Sequence, residues 1–382
     1  MKTLQSLELF LAASLLLALG GCGTNGGTNQ ACPGGAANSN SGGLEVLYGA
    51  PLSDVLNTSV AAIIDPSTGA FTSGFFNPVP FFCSGGITVV DSQFLYISVP
   101  RTMCFGGEAA IYGYFLDPST GAPNSLQGSP FSTGVGNSPG GMAAVPNSLV
   151  LYVADAGKID AFTVDASNGL LTPISGSPFT SGSNSQLVVD PSGKFLYASD
   201  DDPPGSILAF TIDPEGALTP VTGSPFLIPG QRGSNSQPYG IVDSGKFVYA
   251  ALNGSNQVAA FSIDNGTGAL TPIPGAPFPT GGNPVALTLA NDYLYVVDGE
   301  DSSVSGYSVS PTGALTAVAG SPFLKNSSAT TLAVDLSGKY LYVSTTATLD
   351  GYNIDPSTGT LCPGLASVQN DGPLWLTVAQ LP

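Results

Sequence analysis

The chain has 382 residues, of which only 9% are charged, and its formal net charge is −18. This acidic balance disfavours nucleic acid and anionic lipid surfaces as partners, because it offers neither a basic patch nor counterion release. The chain contains no histidine, which excludes Ser-His-Asp catalysis, histidine-based metal sites and the commonest general base at neutral pH.

The N-terminus has the pattern of an export signal. Lys2 precedes an almost wholly apolar run over 9–19, which is too short to span a bilayer permanently. The run ends at Leu19-Gly20-Gly21-Cys22, which resembles the bacterial lipobox, whose cysteine becomes lipidated. We therefore predict a lipoprotein signal peptide over 1–22 and a protein of the bacterial cell envelope that contacts the membrane only through a lipid on Cys22. Plain secretion with cleavage elsewhere is the alternative.

A linker and a repetitive body follow. Residues 23–43 are mostly Gly, Asn and Ser, which predicts a flexible tether. From residue 44 to 382 the chain repeats a unit of about 47 residues, and such self-similarity indicates stacked supersecondary units. Three clear copies are AFTVDASNGLLTPISGSPF (161–179), AFTIDPEGALTPVTGSPF (209–226) and AFSIDNGTGALTPIPGAPF (260–278).

Each unit also carries an aromatic signature before that segment, as in FLYA and YLYV. The seven tyrosines of this signature are Tyr48, Tyr96, Tyr152, Tyr197, Tyr249, Tyr295 and Tyr342. They repeat too regularly to mark one pocket, so we expect them, like the phenylalanines of the SPF triplets, to pack between units.

Each unit is predicted to form four short strands. In one of them the strands are SQLVVD (185–190), KFLYASD (194–200), SILAFTID (206–213) and ALTPVTGSPF (217–226). Aromatic and β-branched residues bounded by Asp, Pro, Ser and Gly favour strands and tight turns. Seven such units predict an all-β fold, a seven-bladed β-propeller of four-stranded antiparallel blades.

The two ends of the repeat region complement each other. LEVLYG (44–49) matches the second strand of a unit, whereas PLWLTVAQ (373–380) matches the first. We therefore predict that one blade is shared by both termini, which removes the exposed sheet edges of an open array.

The cysteines suggest disulfides in an oxidising compartment. Five cysteines less the lipidated Cys22 leave four. Strand order would bring Cys83 and Cys104 to the same end of a blade, and would bring Cys32 and Cys362 near the opposite end. We predict these two pairs, with free buried thiols as the alternative.

A ligand is expected at the end of the propeller where loop lengths vary, because repeat proteins concentrate variation on the face that meets ligands. Neutral drift of unconstrained loops is the alternative. The candidate ligand-binding residues at the mouth of the channel are Asn184, Gln186, Arg232, Asn235, Gln237 and Asn283. No residue is singled out as catalytic.

Acidic loops raise the possibility of a metal. Asp200, Asp298 and Glu300 follow second strands at the same end of the propeller, and Ca²⁺ prefers several oxygen ligands. Their spacing does not match an EF-hand, and Asp beside Pro or Gly is common in turns. We predict no cofactor and keep Ca²⁺ as the alternative.

The blade motifs resemble a known family. VDPSGKFLYAS (189–199) and IDPSTGTL (354–361) are similar to blades of the seven-bladed lactonase family typified by 6-phosphogluconolactonase, and to YVTN-repeat propellers of bacterial surface proteins. The resemblance covers roughly residues 44–380. It implies the fold, but the His, Arg and Glu associated with that family's channel mouth have no matching positions here.

Two functions remain open. The favoured hypothesis is a monomeric, non-catalytic binding scaffold that holds an unidentified protein, glycan or small ligand at the loop-rich face of its channel. The alternative is a lactonase-type hydrolase that opens a lactone with activated water, using an acidic side chain as base and a loop amide or Arg232 to hold the oxyanion.

Overall fold

A computed structural model describes residues 43–52, 59–73, 84–101, 109–132, 138–155, 157–231, 237–325, 327–363, 365, 367–370 and 372–382, without the side chains of Asn184 and Ser185. The predicted signal peptide, Cys22 and the tether lie almost wholly outside these residues. The domain boundaries therefore stay predictions. Within the described residues, no helix is long and apolar enough to cross a membrane.

The described residues form 33 strands. The first blade contains β1 (Glu45–Pro51), β2 (Val60–Ile64) and β3 (Phe71–Ser73), and the second contains β4 (Gly86–Val90), β5 (Phe94–Val99), β6 (Ala110–Leu116), β7 (Pro123–Ser125) and β8 (Phe131–Ser132). The third contains β9 (Pro139–Ala144), β10 (Val150–Asp155), β11 (Lys158–Val164), β12 (Leu171–Pro173) and β13 (Phe179–Thr180). The fourth contains β14 (Asn184–Val189), β15 (Phe195–Asp200), β16 (Ser206–Ile212), β17 (Leu218–Pro220) and β18 (Phe226–Leu227).

The remaining blades repeat this order. The fifth contains β19 (Pro238–Asp243), β20 (Phe247–Leu252), β21 (Gln257–Ile263), β22 (Leu270–Pro272) and β23 (Phe278–Pro279), and the sixth contains β24 (Pro284–Ala290), β25 (Tyr293–Asp298), β26 (Ser303–Val309) and β27 (Leu315–Ala317). The seventh contains β28 (Ala329–Val334), β29 (Tyr340–Thr345), β30 (Thr348–Ile354), β31 (Leu361–Pro363) and β32 (Val368–Gln369). The last strand is β33 (Leu374–Gln380).

Each blade is an antiparallel sheet whose first strand lies innermost, as β4-β5-β6-β7 illustrates in the second blade. The innermost strands of neighbouring blades contact one another and surround a central channel. The first blade has the order β3-β2-β1-β33, so the C-terminal strand supplies its innermost position. Glu45 pairs with Gln380 and Pro51 pairs with Leu374. The seven-bladed propeller and the blade shared by both termini are therefore confirmed.

The fourth strand of most blades is interrupted. It starts as three residues beside the third strand, and after a turn the SPF phenylalanine returns to the other end of that strand, as Phe226 does opposite Ile207. The serine of the SPF triplet accepts a hydrogen bond from the third strand, with 3.0 Å between the Ala209 nitrogen and the Ser224 Oγ. Phe226 also packs against the core between the fourth and fifth blades. The SPF triplet is thus a packing element.

The seven repeated tyrosines connect each blade to the next. All are at most 1% exposed, and each hydroxyl donates a hydrogen bond to a glycine carbonyl of the following blade. The pairs are Tyr48–Gly121 (2.9 Å), Tyr96–Gly169 (2.6 Å), Tyr152–Gly216 (2.7 Å), Tyr197–Gly268 (3.1 Å), Tyr249–Gly313 (2.8 Å), Tyr295–Gly359 (2.7 Å) and Tyr342–Gly69 (2.9 Å). Because a buried hydroxyl needs a partner, these bonds fix the spacing of the blades around the ring.

The cysteines can be followed only in part. Cys362, in β31, is buried and disulfide-bonded. Cys32, Cys83 and Cys104 lie outside the described residues, so both predicted pairings stay predictions.

Candidate functional site at the mouth of the channel

The channel opens into a cavity of about 490 Å³ at the end where the innermost strands begin. We call it the mouth cavity. It lies against the fifth, sixth, seventh and first blades, and its polar and aromatic lining comprises Tyr239, Asn283, Ser302, Ser328, Thr330, Thr331, Thr346 and Trp375. Cavities of this size can enclose a small organic molecule.

The second residue of the innermost strand defines much of the lining. This position is occupied by Tyr239 in the fifth blade, Val285 in the sixth, Thr330 in the seventh and Trp375 in the first, and all four line the mouth cavity. The same register position of the innermost strand therefore contributes to the cavity in these four blades. Variation at this position gives the mouth its chemistry.

A narrower space of about 150 Å³ lies further along the channel. Gln186, Met142 and Leu287 line it, and it shares Val285, Thr331 and Trp375 with the mouth cavity. The Gln186 side chain lies close to Gly141 of the neighbouring third blade. A Cβ added at Gly141 would be only 2.6 Å from the Gln186 Oε1. Trp375 therefore stands at the junction of the two spaces.

The polar groups of the mouth cavity are of two kinds. Thr330 donates its hydroxyl to the Ser344 carbonyl at 3.0 Å, and Thr331 donates its hydroxyl to the Leu374 carbonyl. In contrast, five lining side chains make no hydrogen bond to the described part of the chain: Tyr239, Asn283, Ser302, Ser328 and Thr346. These five side chains are available to a ligand.

Tyr239 is the one phenol among these five side chains. It is 37% exposed, because its ring faces the open cavity. Desolvation by the surrounding wall of the channel nevertheless raises the pKa of Tyr239. Its hydroxyl therefore stays protonated at neutral pH and can donate a hydrogen bond.

Three of these residues adopt an unusual backbone conformation. Asn283, Ser302 and Ser328 have φ values of 55°, 51° and 52°, in the left-handed region that non-glycine residues seldom adopt. Asn283 and Ser328 each directly precede an innermost strand. Conformations of this kind cost free energy and occur often at functional sites.

Carboxylates stand on the loop that joins β25 to β26 at the rim of the cavity. Asp298 is completely buried and accepts hydrogen bonds from Thr280 (2.9 Å) and Ser305 (2.5 Å). Desolvation raises the pKa of Asp298, whereas these hydrogen bonds oppose the increase. Asp301 accepts the Gly282 amide at 2.7 Å. This loop is anchored by Asp298 and Asp301.

Glu300, on the same loop, is exposed. Its Oε2 would lie 3.0 Å from a Cβ added at Gly282, the residue that precedes Asn283. The Glu300 carboxylate is therefore close to the chain segment that leads into the cavity wall at Asn283, although Glu300 itself does not line the cavity.

The predicted ligand-binding residues are distributed unevenly. Asn283 lines the mouth cavity and Gln186 lines the narrower space. Gln237 is exposed and precedes the lining residue Tyr239 by two positions. Arg232 and Asn235 lie outside the described residues, as does the side chain of Asn184. Sequence reasoning missed Tyr239, Ser302, Ser328 and Thr346.

The metal candidates do not form one set. Asp298 and Glu300 share a loop of the sixth blade, whereas Asp200 ends a strand of the fourth. In the described part of the chain, the carboxylates close enough together to share an ion are those of Asp200, Asp201 and Asp202. The Asp200 carboxylate already accepts hydrogen bonds from the Ser206 hydroxyl and the Asp202 amide.

Comparisons with known proteins agree with this architecture. A family model described as a lactonase, 7-bladed beta-propeller, matches residues 150–251 and 178–280. A 6-phosphogluconolactonase of Pectobacterium carotovorum subsp. carotovorum (strain PC1) is 28% identical over 153 residues, which is 37% of this chain and 43% of that protein. The match thus spans less than half the length of this curated relative.

Solved structures show the same fold. A candidate 6-phosphogluconolactonase from Bacteroides uniformis superposes with a TM-score of 0.72 at 20% identity, covering 88% of this chain and 99% of the other. The periplasmic gluconolactonase of Pseudomonas aeruginosa gives 0.67 at 20% identity, covering 89% and 100%. The protein is a seven-bladed β-propeller with its candidate site at the channel mouth. The matches confirm its resemblance to the seven-bladed lactonase propellers.

These relatives correct the functional hypothesis. The expectation of a non-catalytic binding scaffold is wrong, because the matching family model is described as a lactonase and the curated relative is named a 6-phosphogluconolactonase. The error came from treating the lack of histidine as evidence against catalysis. A carboxylate can also act as a general base, and a protonated tyrosine can stabilise an oxyanion.

Proposed function

We propose that the protein is a lactonase-type hydrolase that opens the ring of a sugar lactone in the mouth cavity. The observation that carries this proposal is the set of uncommitted polar side chains around a cavity of about 490 Å³, in a propeller that resembles lactonases. Hydroxyl and amide groups can hydrogen-bond the several hydroxyls of a sugar ring, and the cavity volume is sufficient for a monosaccharide.

Tyr239 is the proposed donor to the lactone carbonyl. Its hydroxyl has no partner in the described part of the chain, and its raised pKa keeps the proton in place. As water adds to the carbonyl carbon, negative charge develops on the carbonyl oxygen. A hydrogen bond to that oxygen stabilises the tetrahedral intermediate more than the substrate, and this difference accelerates the reaction.

Glu300 is the proposed general base. It accepts one proton from the attacking water as the oxygen–carbon bond forms. The intermediate then collapses, the bond between the carbonyl carbon and the ring oxygen breaks, and Glu300 returns the proton to the departing ring oxygen. The product is an open-chain hydroxy acid. No group is oxidised or reduced.

The test is a pH-stat assay of δ-gluconolactone and its 6-phosphate, with the spontaneous rate subtracted. We expect Glu300→Gln to lower kcat by about a hundredfold or more, since general base catalysis contributes about that much. Tyr239→Phe should lower kcat by about a hundredfold or more through loss of the oxyanion donor.

The matched control is Asp292→Asn, which neutralises an exposed acid in the turn between β24 and β25. Its kcat should equal that of the unaltered protein. Full activity in both Glu300→Gln and Tyr239→Phe would reject the proposed roles, and a rate no higher than the spontaneous one for every lactone would reject the function.

A further inference from the structure

Trp375 is the one tryptophan of the chain, and it occupies a position where the other described innermost strands have smaller side chains or a tyrosine. It is the second residue of the closing strand β33 and pairs with Ala50 of β1. Its side chain is partly buried and lines both the mouth cavity and the narrower space. The ring therefore forms a boundary that any ligand moving along the channel would meet.

The polar edge of this indole is already bonded. Trp375 Nε1 donates to the Ser84 carbonyl at 3.0 Å, across the boundary with the second blade. Ser84 is itself held, because its amide and its hydroxyl both donate to the Pro51 carbonyl at 2.7 Å. The indole is thus fixed in orientation, and what it offers the cavity is apolar aromatic surface.

Other parts of the cavity wall are polar. Asn283, Ser302, Ser328 and Thr346 present side chains that bond to no described residue, and they belong to the sixth and seventh blades. The cavity therefore has an apolar platform on the first blade and free polar groups on the adjoining blades. A closed sugar ring has the matching distribution, since its C–H groups form an apolar face and its hydroxyls project from the edge.

We propose that Trp375 is a stacking platform that selects a closed six-membered sugar ring, while Asn283 and the neighbouring hydroxyls bind the ring's hydroxyl groups. The substrate class would then be aldono-δ-lactones, and the open-chain product would lose the stacking contact and leave. This assignment of substrate rests on the proposed function. The platform itself can be tested without turnover.

The test uses gluconolactam, whose ring resembles the lactone but does not hydrolyse, and gluconate as the open-chain counterpart. Because Trp375 is the only tryptophan, the tryptophan fluorescence of the unaltered protein, excited where tyrosine does not absorb, reports directly on this site. We expect gluconolactam to change the emission saturably and gluconate to bind at least about tenfold more weakly. Equal binding of both compounds, or no binding of the lactam, would overturn the platform.

Calorimetric titration of variants completes the test. Trp375→Leu should weaken lactam binding about tenfold and Trp375→Phe about threefold, in keeping with the loss of an aromatic contact. The matched control is Phe115→Leu, which alters a 40% exposed aromatic outside both spaces and should leave the affinity unchanged. If Trp375→Leu fails to fold, Trp375→Phe alone decides, and unchanged affinity in the folded variant rejects the platform.

Turnover separates the two proposals. Lactam binding that depends on Trp375, without hydrolysis of any lactone, would keep the platform and reject the hydrolase. Hydrolysis with the same KM in Trp375→Phe and the unaltered protein would keep the hydrolase and reject the platform. If both are right, Trp375→Phe should raise the KM for the δ-lactone and change kcat less.

Discussion

The third and sixth blades place an aspartate at the same point and surround it differently. Asp155 ends β10 and Asp298 ends β25, and both are almost fully buried. The side chain that interacts with each one belongs to the third residue of the next strand, which is Ser305 in the sixth blade but Asp160 in the third. One position therefore pairs a carboxylate with a hydroxyl in one blade and with a second carboxyl in the other.

In the sixth blade the buried charge is compensated. Ser305 and Thr280 donate hydrogen bonds to the two oxygens of Asp298. Next to it along the chain, Gly299 and Ser302 line the mouth cavity. The satisfied carboxylate thus fixes a loop that contributes to the candidate site.

In the third blade the compensation is incomplete. Asp155 accepts the Ser138 amide at 3.2 Å, but one oxygen of Asp155 and one of Asp160 are buried without a hydrogen-bond partner in the described part of the chain. Desolvation, and then repulsion from Asp155, raise the pKa of Asp160 to about 7, although the positive charge of Lys158 opposes the increase. Two buried carboxyls at close range favour one shared proton.

The comparison shows that the propeller tolerates an unfavourable pair of buried carboxyls, Asp155 and Asp160, in the third blade. In the sixth blade, where the loop borders the mouth cavity, the equivalent carboxylate of Asp298 is bonded by the Ser305 hydroxyl instead. Neither Asp155 nor Asp160 lines the mouth cavity. We therefore expect changes in the third blade to alter stability alone, and changes in the sixth to alter stability and activity together.

The largest effect is expected from Ser305→Asp. This change would place a second carboxyl beside Asp298 in the sixth blade, as Asp160 stands beside Asp155 in the third. The new carboxylate would meet Asp298 without its hydroxyl donor, so the free energy of unfolding should fall by about 3 kcal/mol at pH 8. The loss should be smaller at pH 5, where the pair can share a proton. Denaturant titration at both pH values measures this. Ser305→Ala, which removes the donor without adding charge, is the control and should lose less.

A smaller effect of opposite sign is expected from Asp160→Ser. A raised carboxyl pKa means that the folded state binds more protons than the unfolded state, so the stability contributed by protonated Asp160 is present in full below about pH 4 and is lost as the pH rises through about 7. The variant should therefore be more stable than the unaltered protein at pH 8, by about 2 kcal/mol.

Denaturant titrations of both proteins from pH 5 to pH 8 test this, because other titrating groups cancel in the difference. The difference should grow with pH. A constant difference, or one that shrinks as the pH rises, would contradict the shared-proton pair. Lactone hydrolysis should be the same in both proteins.

The smallest effect is expected in the fourth blade, which is intermediate between the two. Asp200 ends β15, and Ser206 donates its hydroxyl to it at 2.7 Å. Ser206→Ala should lower the free energy of unfolding by about 1 kcal/mol, the typical worth of a hydrogen bond of this kind. Thermal unfolding measures this beside the control Glu215→Gln, which alters an exposed turn residue of the same blade. An unchanged melting temperature in Ser206→Ala would show that this hydroxyl contributes nothing.

Several levels of the fold were predictable because they depend on local patterns that repeat. Alternation of apolar residues, turns rich in Gly, Pro and Asp, and the fixed spacing of tyrosines such as Tyr152 indicate four strands per unit and seven units. The position of the closing strand also followed, since 373–380 matches a first strand that the N-terminal unit lacks. The interruption of the fourth strand was not foreseen. Its second part has only two residues, such as Phe226–Leu227, and these are too few for an alternating apolar pattern to be recognised.

The site was predictable only in outline. Variable loops pointed to the end of the channel where Asn283 lines the mouth cavity, but Tyr239, Ser328 and Thr346 appear in the sequence as ordinary strand or loop residues. Aligning the second position of each innermost strand would have pointed to Tyr239 and Trp375. Which hydroxyls remain free could not be foreseen, since this depends on whether folding brings a carbonyl within reach. It does so for Thr330, which bonds Ser344 of the adjacent strand, and for Thr331, which bonds Leu374 of the closing strand.

The sequence by itself determined the strands, the number of blades and the closure of the ring, because each follows from contacts between residues that recur at one spacing. The tertiary structure alone decided that Trp375 faces the channel with its nitrogen bound to Ser84, although 291 positions separate the two in the chain. It likewise decided that both oxygens of Asp298 have hydrogen-bond partners, whereas one oxygen of Asp155 has none in the described part of the chain. Burial and hydrogen-bond partnership depend on side chains that closure brings together from different blades, and no local pattern encodes them.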